Sequence, residues 1–290
     1  MNTRNSGRVT VSLVAYEHPA EELRPLLELL ERDPQVAAWI VVDNSAFESP
    51  EIAKELEEYV VAHGGRYLAS SNVGFGSSHN RGFKALAGTP ADVHLFVNPD
   101  IFYETGTLEQ LVRVLDENPD VGRVMPKILY PGGRLQTLNK LLPTPFNLFG
   151  RRFLPGFLLN TVFRKAETNY EMEGAYDHVF RNVPFLSGCF VFLRRSLFEA
   201  VGGFDERYFM YLEDAELTRV SGHVADSLYW PDVTIIHGYE RGAHKNLRLT
   251  WIALRSSVAY FNKWGWFFDR ERRRLNQAAL RERDRILREK

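Results

Sequence analysis

Strand-like and helix-like hydrophobic patterns take turns along the first 130 residues of this chain. Val9 to Ala15 is rich in β-formers, Pro19 to Leu30 sets Leu23, Leu26, Leu27 and Leu30 on one helical face, and Trp39 to Val42 is a short apolar run. Pro50 to Ala62 reads as a helix with Ser49 as N-cap and Pro50 at its first position, where the missing N–H leaves no helical bond unmade. A strand over Gly65 to Ala69, a helix over Ser77 to Leu86, a strand over Val93 to Val97 and a helix over Thr107 to Leu115 continue the series. Strands separated by helices pair in parallel, so the pattern predicts an α/β fold with a mainly parallel central sheet and helices on both faces.

The alternation stops near residue 130. Pro131, Pro143, Pro145 and Pro155 stand among aromatic and basic residues, so 131–182 reads as an insertion whose loops form part of a binding wall. An apolar strand over Phe185 to Leu193 and a helix from about Asn246 to Asn262 complete a single domain over 1–262, with a separate tail over 263–290.

Ligands of such sheets bind beyond the carboxyl ends of the strands. Three polar clusters fall there: Asp43-Asn44-Ser45, Asn72 to Gly82, and Asn98-Pro99-Asp100. Gly74, Gly76 and Gly82 permit close backbone approach, in a spacing that differs from the dinucleotide fingerprint. Each cluster also has a plainer reading: turn chemistry for the first and third, a strand-to-helix loop for the second.

A fourth cluster follows the Gly202-Gly203 break. Asp205 and Glu206 precede Tyr208, Phe209 and Tyr211, which lead into Glu213, Asp214 and Glu216. Acids beside aromatic surface suit polyol recognition and proton abstraction. Adjacent acids at a helix start point in different directions, so one can accept a proton while the other braces the site. The alternative is helix-start electrostatics alone, worth about 0.3–1 kcal/mol.

Composition narrows the classes. With 44% hydrophobic and 25% charged residues the chain is globular, and a net charge of −1 supplies no drive toward nucleic acid. Cys189 is the single cysteine, so no internal disulfide forms, and its apolar surroundings read as core. The amino terminus has no signal-peptide-like apolar region and no stretch reaches the roughly 18 apolar residues of a membrane span, so a cytoplasmic location is expected. The tail changes that picture locally: Lys263 to Lys290 holds ten Lys/Arg against five Asp/Glu. Trp264, Trp266, Phe267 and Phe268 beside Arg270 and Arg272 to Arg274 resemble a peripheral contact with the inner face of the plasma membrane through 263–274. A helix packed on the core or on a second subunit, as in a homo-oligomer, is the alternative.

Taken in order, VVDNS at Val41 to Ser45, NVGFGSSHNRG at Asn72 to Gly82, NPD at Asn98 to Asp100, GGFDERYFMYLED at Gly202 to Asp214 and the later His237 resemble family 2 glycosyltransferases, over roughly residues 8 to 240. Within that family the look is of bacterial rhamnosyltransferase-like members that build O-antigen and other cell-surface polysaccharides. The resemblance implies the GT-A fold, a Rossmann-like nucleotide-binding half over 1–130 fused to a catalytic and acceptor half over 183–262, a nucleotide-sugar donor, and inversion at the anomeric carbon.

It also implies roles. Asp43 matches the acidic position at the nucleotide base, with Asn44, Asn72, Gly74, Asn80, Arg81 and Asn98 around the donor and Lys245, beside Arg241 and His244, in a cationic lid over the phosphates. Asp100 with His237 would hold Mg²⁺ or Mn²⁺, although Asn98 stands where the family's metal motif has its first acid. Asp214 becomes the base, Glu213 its support, and Tyr208 and Tyr211 the surface for a saccharide or lipid-linked saccharide acceptor. The donor expected first is dTDP-L-rhamnose, with UDP-hexoses behind it and a non-catalytic carbohydrate-binding subunit as the reading from another class. A glycoside hydrolase would also pair carboxylates but has no use for the nucleotide-site segments.

Overall fold

The computed structural model describes residues 7–150, 164–238 and 247–288. Its first half alternates β1 (Val9–Ala15), α1 (Ala20–Arg32), β2 (Val36–Asp43), α2 (Pro50–Ala62), β3 (Arg66–Ala69), α3 (Phe75–Ala85), β4 (Val93–Val97), β5 (Ile101–Phe102), α4 (Thr107–Glu117) and β6 (Val121–Leu129). Then come β7 (Asn139–Lys140), α5 (Arg164–Tyr170), β8 (Phe180–Arg181), β9 (Phe185–Leu186), β10 (Phe190–Arg194), α6 (Arg195–Ala200), α7 (Glu213–Ser221), β11 (Asp226–His237), α8 (Leu247–Trp264) and α9 (Arg270–Arg288).

The main sheet runs β3-β2-β1-β4-β10-β6-β11-β5, with β8 also paired to β11. β1, β2, β3 and β4 are mutually parallel, as are β6 and β11, while β10 is antiparallel to both β4 and β6. The expected mainly parallel α/β sheet is therefore present, with β10 inserted antiparallel at its centre.

Period-two alternation divides the side chains of β1 and β4 between two cores. Val9, Val11, Leu13 and Ala15 with Val93, Leu95 and Val97 face the leucines of α1 and the apolar stripes of α2 and α4. Phe96 points the other way, joining Phe198, Phe204 and Leu217 from α6, the loop after it and α7. Thr10, Ser12 and His94 on this second face are buried as well, linked by Thr10 Oγ1 to His94 Nδ1 (2.8 Å), His94 Nε2 to Ser12 (3.1 Å) and Ser12 to His79 of α3 (2.9 Å). Burial pushes the His79 pKa down to about 3, so the chain of polar groups is held neutral.

Some local expectations change. Ser49 makes no side-chain cap bond, and α3 starts two residues earlier than the pattern indicates, at Phe75, after Gly74 turns the backbone with φ +97°. The strand expected over Phe185 to Leu193 splits into β9 and β10 around Ser187-Gly188-Cys189. The C-terminal helix packs on the protein body: Ala279 and Ile286 enter the larger core and Asn276 brackets Leu142 through its backbone N–H and carbonyl. Trp264 lies under the Arg219 guanidinium, Trp266 stacks on Phe149, and Arg272 donates to the carbonyls of Pro143 and Trp266. Those three residues therefore serve packing, while Phe267 and Phe268 stay exposed together with Leu247 and Trp251 of α8. No described helix is long and apolar enough to cross a membrane.

Candidate active site

Segments far apart in sequence face one cavity of about 520 Å³: Asn98 after β4, Ser187-Gly188-Cys189 between β9 and β10, Tyr211 with Glu213 and Asp214 at the entry to α7, and His237 at the end of β11. Gln136, Thr137, Leu138, Lys140 and Glu171, all from the 131–182 region, supply further wall. A second cavity of about 400 Å³, between the 144–146 turn and α9, offers aromatic and arginine side chains but no carboxylate.

The entry to α7 is strained. Tyr211 and Leu212 have φ of +72° and +70°, a left-handed conformation that costs a non-glycine residue about 1–3 kcal/mol. Three hydrogen bonds hold the loop: Phe75 N–H to the Phe209 carbonyl (2.8 Å), Ser256 Oγ to the Met210 carbonyl (2.8 Å), and the Tyr208 hydroxyl to Glu216 (3.3 Å). The backbone twist starts the helix with Glu213 and Asp214 already at the cavity wall.

These acids differ in surroundings. Asp214 Oδ2 accepts the Gly188 N–H and Oδ1 the Ala215 N–H, both at 2.9 Å, and part of the side chain remains open to the cavity. Burial raises its pKa, opposed by those two N–H groups and by the charges of Arg123 and Lys140. Glu213 is buried and its Oε2 has no hydrogen-bond partner among the described residues. Burial first and the neighbouring Asp214 charge second hold its carboxyl well above the usual range. Of the pair, Asp214 is the acid kept closer to its ionised form.

Asp100 and His237 meet beside this cavity, Oδ1 to Nε2 at 3.3 Å, with His237 Nδ1 anchored on Gln136 Oε1 at 2.9 Å. Burial opposes protonation of His237, but Asp100 and Cys189 favour it more strongly and its pKa rises to about 10. A carboxylate oxygen and an imidazole nitrogen set this close are donor groups that a divalent cation would use. Asn98, whose buried Oδ1 has no hydrogen-bond partner among the described residues, lines the same cavity. No cluster of three or more His, Cys, Asp or Glu suited to a metal occurs among the described residues. Cys189, expected as core, belongs both to the core and to the cavity floor.

The remaining site residues separate into those at the strand ends and those packed elsewhere. Asp43 is buried at the end of β2, its Oδ1 accepting Ser45 N–H and Oγ–H and its Oδ2 the Tyr67 hydroxyl, which is the turn-organising geometry. Asn44 Oδ1 accepts the Ser78 hydroxyl (2.6 Å), and Asn72 Oδ1 accepts the Gly74 N–H (3.3 Å) and the Asn44 amide (3.5 Å), so these strand-end loops form one network. Asn80 is committed to the backbone of Phe204 through both ends of its amide, and Arg81 donates to Ser70 Oγ. Tyr208, only 1% exposed, lies in the core, so burial replaces its expected stacking role. Tyr211 does line the cavity. Arg241, His244 and Lys245 fall outside the described residues.

Sequence reasoning passed over Gly188, Arg123, Lys140 and Glu171. A Ser-Gly pair inside an apolar strand signals a break in the ladder. An arginine inside the apolar run of β6 signals a buried charge with a purpose. Lys140 and Glu171 carry no comparable local signal.

The fold is shared with the mannosyltransferase PcManGT from Pyrobaculum calidifontis, solved in complex with GDP-Man and Mn²⁺, at a TM-score of 0.55 and 14% identity over 95% of this chain and 75% of that one. An N-acetylglucosaminyl-diphospho-decaprenol L-rhamnosyltransferase of Mycobacterium tuberculosis is 31% identical over 176 residues, 58% of this chain and 56% of that protein, so the match spans about half of that relative's length. The rhamnosyltransferase WbbL of Escherichia coli is 26% identical over 72% of this chain and 75% of its own length. The O-antigen biosynthesis protein RfbC of Myxococcus xanthus is 26% identical over 74% of this chain and 16% of its own length. The family model for glycosyl transferase family 2 matches residues 10–202, and with the sheet and the strand-end cavity in place the chain belongs to that family.

Proposed function

We propose that the protein is an inverting glycosyltransferase that moves a sugar, L-rhamnose from dTDP-L-rhamnose in the first instance, onto a hydroxyl of a saccharide or lipid-linked saccharide during synthesis of a cell-surface polysaccharide such as O-antigen. The observation that carries this reading is the single cavity bordered by the Glu213-Asp214 pair, Asn98 and His237. Asp214, oriented by two backbone N–H groups, accepts the proton of the acceptor hydroxyl, and that oxygen attacks the anomeric carbon opposite the departing nucleoside diphosphate. One displacement inverts the configuration and needs no enzyme nucleophile.

The donor nucleotide lies over the ends of β1, β2 and β3, where Asp43 shapes the loop that receives the base and the Asn44, Asn72 and Gly74 network sets the backbone against it. Asp100 and His237 would hold Mg²⁺ or Mn²⁺, which would supply charge stabilisation for the leaving diphosphate. The cavity wall from 131–182, with Lys140 and Glu171, receives the acceptor. Exposed Phe267 and Phe268 beside Arg270, Arg273 and Arg274 give a peripheral contact with anionic lipid, which brings a lipid-linked acceptor to the cavity.

Rhamnose is supported by the names of the relatives rather than by a side chain that reads the sugar's hydroxyls. A panel of dTDP-rhamnose, UDP-galactose, UDP-glucose and UDP-N-acetylglucosamine, each assayed for binding and transfer with metal or chelator, tests the proposal. Transfer from a UDP-hexose alone replaces the rhamnosyl reading, and binding without transfer from any donor replaces the enzymatic one.

A further inference from the structure

Arg123 stands within β6, buried to 1% exposure, and its described hydrogen-bond partners are all neutral: Thr218 Oγ1 at 2.7 Å and the carbonyls of Ser187 at 3.0 Å and Leu186 at 3.2 Å, with Nε unpartnered. Removing a guanidinium from water costs several kcal/mol, and neutral partners offset only part of it. Such a group persists where its charge or its fork has a use.

Both uses converge on Asp214. Ser187 leads into Gly188, whose N–H donates to Asp214 Oδ2 at 2.9 Å. Thr218 lies one turn after Asp214 on α7 and donates its hydroxyl to the Asp214 carbonyl at 2.7 Å. That hydroxyl has one proton to give and two lone pairs, which take Arg123 and the Leu186 N–H at 3.3 Å. Arg123 therefore ties together the two pieces of backbone that set the Asp214 carboxylate.

We propose that Arg123 is the positioning residue of the base: it fastens the Ser187-Gly188 turn and the first turn of α7 to the central sheet, and brings a fixed positive charge to bear on the Asp214 carboxylate. The inference rests on Asp214 being the proton acceptor. Other groups face Asp214 from each side: Lys140 of β7 lowers its proton affinity, Glu213 precedes it on the same helix and retains its own proton, and Glu171, Cys189 and His237 border the same cavity.

The test uses the full chain with Arg123→Met, Arg123→Lys and Thr218→Val. The Asp214 titration is read by ¹³C carboxyl NMR, assigned against Asp214→Asn, alongside kcat, donor KM and the pH profile. Loss of an opposite charge moves the titration of a carboxylate upward. Arg123→Met should therefore shift the Asp214 titration and the acid limb of kcat upward together, with donor KM within about twofold of wild type. Arg123→Lys, which keeps the charge and loses the fork, should hold the limb in place and lower kcat. An unshifted Asp214 titration in folded Arg123→Met overturns the proposal. Should Arg123→Met not fold, wild-type kcat in both Arg123→Lys and Thr218→Val overturns it, and lowered kcat in either supports it. The NMR titration reads the coupling whether or not any nucleotide sugar is transferred, so failure of the glycosyltransferase reading shows separately.

Discussion

Gly74 and Phe209 touch backbone to backbone: a Cβ built on Gly74 would stand 2.3 Å from the Phe209 carbonyl oxygen, in a backbone with φ +97°. The contact joins the loop before α3, proposed to face the donor, to the strained loop before α7. Gly74→Ala must therefore displace one of them and adopt a φ that alanine resists. Loss of about 2 kcal/mol or more of stability is expected, together with reduced transfer, by thermal melting and a transfer assay. A variant as stable and active as wild type would show that the two loops move independently.

Asp214→Asn keeps the shape of the proposed base and removes its ability to take a proton. Transfer should fall by at least about 10²-fold while the donor Kd stays near wild type. Isothermal titration with donor and a transfer assay check the two halves, and unchanged turnover removes Asp214 from the chemistry.

Glu213 binds its proton more tightly in the folded chain than in the unfolded one. Its contribution to stability is thus complete below the ordinary value of 4.5 and is lost as pH rises toward the folded value, by up to about 1.4 kcal/mol per pH unit. Glu213→Gln cannot ionise, so it should melt at least about 2 °C above wild type at pH 8, and that advantage should vanish near pH 4. A difference in melting temperature that is the same at both pH values would contradict the assignment of a buried, proton-retaining acid.

Arg219 on α7 holds Asp269, at the start of α9, through two bonds of 2.6 and 2.8 Å, with both side chains almost fully buried. Removing one partner of a buried pair costs about 3–5 kcal/mol because the other charge is left unpaired. Arg219→Met should lower the melting temperature by at least about 5 °C, and adding Asp269→Asn should recover part of the loss in a double-mutant cycle. Strict additivity would mean that α9 and the helix that carries Glu213 and Asp214 are not coupled through this pair.

Phe267 and Phe268 are exposed beside Arg270, Arg273 and Arg274. Changing both phenylalanines to serine should weaken co-sedimentation with phosphatidylglycerol-containing vesicles at least about tenfold, since each buried ring contributes about 1.5–3 kcal/mol. Salt should weaken it further. Equal pelleting of variant and wild type would count against membrane contact.

The alternating patterns, the strand-end clusters and the acid pair at the start of α7 were legible along the chain because each is a local matter: periodicity, turn chemistry and helix entry act over a few residues. Other features depend on register and packing across the sheet. β1 alternates as a half-exposed strand would, yet Thr10 and Ser12 are buried because His94 and His79 meet them from β4 and α3. Asn80 and Tyr208 sit within motif segments but spend their polar atoms on Phe204 and Glu216, a choice made by which surfaces α3 and α7 present to each other. The sequence by itself determined the family, the layered sheet and the presence of an acid pair. Only the tertiary structure decided that Gly188 and Arg123 support Asp214, since long-range hydrogen bonds and burial arise when distant strands pack and leave no trace in local spacing.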